Sequence, residues 1–206
     1  MYNTINTSTK QLTVLGLMSA ITALMVFTPV GMIPTPGGTS LTISHIPTIL
    51  TAVLFGPVMG GIVGFVFGVS SLLRALSAAS PFDLMFLNPL VSVLPRVLFG
   101  LGTGYLYLML SKVASPKGES FLRSKWRTDI RLIVSAAGGS FIHTTLVLGM
   151  MFLVYHPFLM ELTGGNLSTV AVVLAGIAAT AGLLEMVTAA VIVLPVAKAL
   201  KRAFSL

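Results

Sequence analysis

Long apolar stretches almost free of charge decide what this chain can fold into. Leu12 to Val30 carries no charged side chain, Phe86 to Ser111 carries only Arg96, and Thr169 to Ala197 carries only Glu185. A helix rises 1.5 Å per residue, so about 20 apolar residues cross a hydrocarbon core about 30 Å thick. With 55% apolar and 8% charged residues and a mean hydropathy of +1.00, the chain cannot clothe an ordinary soluble surface. It reads as an all-α membrane protein with six transmembrane helices.

The breaks between stretches set the segments. Pro34, Pro36, Gly37 and Gly38 mark a first loop, and Gly56-Pro57 interrupts the apolar run that follows it. Helices are expected at approximately 12–30, 45–59, 60–73, 86–111, 130–155 and 169–197, in one integral-membrane domain covering 1–206. The first stretch is long and lacks a small-residue cleavage pattern near its end, so it reads as retained. Gly60, Gly64 and Gly68 form a four-residue repeat that lets helix backbones approach closely.

Charge gives the orientation. Lys10, the basic loop from Lys112 to Arg127, Arg131, and Lys198, Lys201 and Arg202 place ten of the twelve Lys and Arg on the side shared by both termini. The positive-inside rule makes that side cytoplasmic and accounts for the net charge of +7 without nucleic acid as a partner. The absence of cysteine excludes disulfides and thiolate chemistry, and no metal or cofactor is expected. No G-x-x-x-x-G-K-[ST], G-x-S-x-G or H-E-x-x-H pattern is present, so the chain reads as a protein that is not an enzyme and has no ATPase site of its own.

Arg96 is the strongest functional signal. An arginine at mid-bilayer costs about 3 kcal/mol on insertion scales, so it calls for a partner or an anionic ligand. Asn88 stands about 12 Å outward of it at 1.5 Å per residue, with Ser92 between them on roughly the same face. His143 and Glu185 lie near the centres of their own segments. Two readings stay open: Glu185 is the counter-ion of Arg96, or a ligand carboxylate is. The outer loops carry Thr39, Ser40, Thr42, Ser44 and His45, and further along Tyr155, His156, Glu161, Thr163 and Asn166. This is a composition suited to closing over a polar ligand, with His45, Tyr155 and Asn166 as contacts.

Four stretches carry a family resemblance: Ile43-Ser44-His45-Ile46-Pro47, Leu54-Phe55-Gly56-Pro57, the glycine-rich run from Gly60 to Gly68, and Asn88-Pro89-Leu90 through Pro95-Arg96. Together they resemble the substrate-binding S components of energy-coupling factor (ECF) vitamin transporters, and are most similar to the pantothenate-specific members. The resemblance implies a capture subunit in the cell membrane that works with a transmembrane coupling subunit and two ATPase subunits. It also implies a docking face of small residues on the first helix, here Gly16 and Ala20 or Ser19 and Ala23.

The residues add a chemical preference. Pantothenate has one carboxylate, an amide and two hydroxyls, which match one buried arginine surrounded by hydrogen-bonding groups. Riboflavin or folate calls for stacking surfaces, and Trp126, the single tryptophan, falls in the cytoplasmic loop. The alternatives are an S component for riboflavin, pyridoxine or folate, and a self-sufficient carrier or channel with a relay through Arg96, His143 and Glu185.

Overall fold

The structure is a computed structural model that describes residues 9–34, 40–77, 81–112, 121–162 and 164–204. In order the elements are α1 (Thr9–Phe27), β1 (Met32–Pro34), β2 (Ser40–Thr42), α2 (Ile46–Phe55), α3 (Pro57–Ala75), α4 (Pro81–Leu84), α5 (Pro89–Ser92), α6 (Leu94–Lys112), α7 (Phe121–Leu162), α8 (Leu167–Ile177) and α9 (Leu183–Phe204). Four stretches are long and apolar enough to cross a membrane: Pro57–Ala75, Pro89–Lys112, Trp126–Glu161 and Leu167–Ala203. Gln11–Phe27 and Ile46–Phe55 are shorter apolar helices.

The helical expectation is met with one addition and several shifted boundaries. The first loop is partly a hairpin, β1 pairing antiparallel with β2 so that Met32 faces Thr42 and Pro34 faces Ser40. The second helix ends at Phe55 and the third starts at Pro57, three residues before the expected Gly60. Gly56 between them has φ +94°, a backbone conformation that favours glycine, and Pro57 then begins the new helix. At ten residues α2 rises only about 15 Å, half a hydrocarbon core, and eight of its residues are buried. It is a core element that its neighbours cover, which explains why its hydropathy resembles that of a span.

The fourth segment is not one continuous helix. A 3-10 turn at Met85–Leu87 leads through Asn88 into the single turn of α5, and α6 starts after Val93. α7 begins at Phe121, inside the stretch read as a loop, and is kinked where Tyr155 leaves helical geometry (φ −120°, ψ 20°) two residues before Pro157. The last segment contains a π turn at Ala178–Gly182 between α8 and α9.

Membrane helices gain little from the hydrophobic effect and associate by close packing. α1 presents Val14, Met18, Thr22 and Val26, all buried, at four-residue spacing. The central cluster draws Val26 from α1, Ile49 and Val53 from α2, Phe67 from α3, Phe99 from α6, Leu132 and Ala136 from α7, and Val193 from α9. The α3 glycine repeat lies against α6: a Cβ on Gly68 would stand 2.6 Å from Val93 Cα, and one on Gly64 would overlap the Arg96 carbonyl. Glycine therefore brings α3 against the broken start of the fourth segment and fixes where Arg96 emerges.

Candidate functional site

Arg96 lies in the first turn of α6 and is 5% exposed. Its position follows from the residue before it. Pro95 has no N–H, so the Val91 carbonyl four residues back loses its helical donor. The Arg96 Nη1 group donates to that carbonyl instead. Its guanidinium carbon stands 4.7 Å from the Phe86 ring centre and 5.6 Å from that of Phe67, and its Nε has no hydrogen-bond partner in the protein. One end of the guanidinium is thus anchored to backbone while Nε is buried without an acceptor.

His45 and His143 belong to the same interior. His45 immediately precedes α2, makes no capping bond and is fully buried; His143 comes from α7 and is 5% exposed. Their rings stack with centres 5.3 Å apart. Neither ring nitrogen of His143 nor Ser140 Oγ one turn away has a hydrogen-bond partner in the protein. A buried polar group left unpaired costs about 1–3 kcal/mol, so this density of open groups is what a polar ligand site requires.

Glu185, 6% exposed, stands just beyond the π turn. That turn adds a residue to the helical repeat and rotates the start of α9 by about 100°. Oε1 accepts from the Thr42 backbone N–H at 2.8 Å and Oε2 from Thr144 Oγ1 at 3.1 Å. Lys198 pairs with Asp129 at 2.6 Å, at the other end of the bundle. Arg96 and Glu185 bond to different partners and form no ion pair with each other. The carboxylate holds the first loop to α7 and α9.

Other residues expected at the site have local structural partners. Asn88 Oδ1 accepts from the Leu90 N–H at 3.0 Å and caps α5, and Ser92 Oγ donates to the Asn88 carbonyl at 3.1 Å. Asn166 is exposed and caps α8, accepting from the backbone and hydroxyl of Ser168. Tyr155 packs on a separate cluster that includes Met85, Val91, Val147 and Met151. Thr39 and Thr163 lie outside the described residues. On α1, Gly16 and Ala20 are exposed and Ser19 and Ala23 half-buried; a Cβ on Gly16 would meet nothing within 4 Å. Sequence reasoning missed Phe67, Phe86 and Phe99, which wall the site, and the role of Thr144.

Residues 10–197 match the family of ECF transporter substrate-specific components. The chain belongs to that family. No curated protein matches it closely enough to be counted a relative. As an ECF S component it is a multi-pass membrane protein and a transporter subunit, a non-enzymatic binder of a small molecule that partners ECF module components.

Proposed function

We propose that this S component captures pantothenate from outside the cell and delivers it through an ATP-driven ECF module with a transmembrane coupling subunit and two ATPases. The observation that carries the substrate is Arg96: a buried guanidinium, anchored by one bond to the Val91 carbonyl and flanked by Phe67 and Phe86, with Nε open and no carboxylate in contact. A ligand carboxylate would complete it, and a charge-assisted hydrogen bond is about twice as strong as a neutral one. His45 and His143 supply further polar groups, with Asn88, Ser92, Tyr155 and Asn166 shaping the outer approach.

In the topology we infer, both termini are cytoplasmic and the site lies in the outer half of the membrane, a reading supported by the basic residues clustered at the opposite ends of the helices. Gly16 and Ala20, with Ser19 and Ala23 beside them, form the docking face for the coupling subunit. The proton-relay alternative has less support, because no hydrogen bond links Arg96, His143 and Glu185 among the described residues.

Mass spectrometry of small molecules released from the gently purified protein tests the substrate. Pantothenate, recovered in proportion to protein, is the expected result. Recovery of riboflavin, pyridoxine or folate instead would reassign it.

A further inference from the structure

The two histidines are packed by their faces and unpaired at their edges. His45 lies parallel to His143 within 8° at 5.3 Å, Phe67 stacks on His143 at 5.7 Å, and Phe99 meets it edge-on at 5.1 Å. Aromatic neighbours take up the ring faces, so these imidazoles offer no platform for a flat ligand. Nδ1 and Nε2 of both rings nevertheless lack a protein partner. The backbone of Thr42 approaches His45 without reaching hydrogen-bond geometry to either nitrogen. Thr48 Oγ1, one turn along α2, is also buried and unpartnered.

A neutral imidazole offers one donor and one acceptor, and a hydroxyl can do both, whereas a carboxylate only accepts. Two stacked imidazoles therefore match a pair of hydroxyls better than an anion. The anion has its own place nearby, since Phe67 is a neighbour of both His143 and the Arg96 guanidinium. We propose that His45 and His143 read the hydroxyls of the ligand whose carboxylate Arg96 holds, so that pantothenate spans from the guanidinium to the imidazoles with its diol at the imidazoles. This orientation rests on the substrate proposed above.

Three probes titrated against the full chain in lipid nanodiscs test it: pantothenate, panthenol (carboxylate replaced by an alcohol), and a hydroxyl-free N-acyl-β-alanine of similar length. A site built to bond hydroxyls rejects an analogue lacking them strongly, so the wild type should bind the hydroxyl-free probe at least about a hundredfold more weakly than pantothenate. His143→Phe and, separately, His45→Asn should weaken pantothenate and panthenol but leave the hydroxyl-free probe within about threefold. Arg96→Met should erase the preference for pantothenate over panthenol and keep the discrimination between panthenol and pantothenate on one side and the hydroxyl-free acid on the other dependent on the histidines.

Equal binding of pantothenate and the hydroxyl-free probe by the wild type would overturn the inference and spare the substrate, and this comparison needs no variant to fold. Equal losses for all three probes in both histidine variants would show a structural role and overturn it too. No binding of pantothenate by the wild type would overturn the proposed substrate and the orientation together.

Discussion

Arg96 is bound at one end of its guanidinium by the preceding turn, α5, and unpaired at Nε, an arrangement that Pro95 creates by leaving the Val91 carbonyl without a donor. Glu185 is occupied with Thr42 and Thr144, so the two charges have separate tasks. Replacing both by Arg96→Met and Glu185→Gln should therefore lose pantothenate affinity as fully as Arg96→Met alone. Restored affinity in the double variant, measured by titration, would show that the arginine serves only to neutralise Glu185. Arg96, His143 and Glu185 were legible in the sequence because a polar group in an apolar stretch stands out. Phe67, Phe86 and Phe99 were not, since a phenylalanine in such a stretch looks like any lipid-facing or core residue. Asn88 was legible as polar but not as a cap, because the apolar run from Phe86 reads as one helix, whereas the chain starts a new helix at Pro89 and breaks again at Val93, which lies against Gly68 of α3.

At the scale of elements, the glycine repeat and the faces of α1 carry separate consequences. Gly64→Val would drive a side chain into the Arg96 carbonyl, so α3 and α6 must separate. Overpacking of this kind costs about 1–3 kcal/mol, and thermal unfolding in detergent should show the loss along with weakened ligand binding. Gly16→Leu meets open space, and Val14 and Met18 on the other side of α1 bury the helix without it. That variant should fold and bind ligand normally yet fail to co-purify with the coupling subunit; normal assembly would remove Gly16 from the docking face. Hydropathy made the long helices legible. It overstated α2, whose apolar residues face protein, and it missed the extension of α7 from Phe121 because polar residues at a span's end read as loop.

For the whole molecule, the proposed topology rests on charge, and the lack of native cysteine makes it directly measurable. An impermeant maleimide applied to intact cells should label Leu167→Cys but not Lys112→Cys, both at exposed positions, and permeabilisation should expose the second. The reverse pattern would invert the orientation and put the Arg96 end of the bundle on the inner side. The central claim is that this S component recognises a vitamin's carboxylate through Arg96, and the most direct measurement is a pantothenate titration of purified wild type and Arg96→Ala. Truncating one partner of a buried charge pair costs about 2–5 kcal/mol, so affinity should fall by at least about thirtyfold while the thermal unfolding of the ligand-free protein stays close to wild type. Unchanged affinity in a folded Arg96→Ala protein would contradict the account.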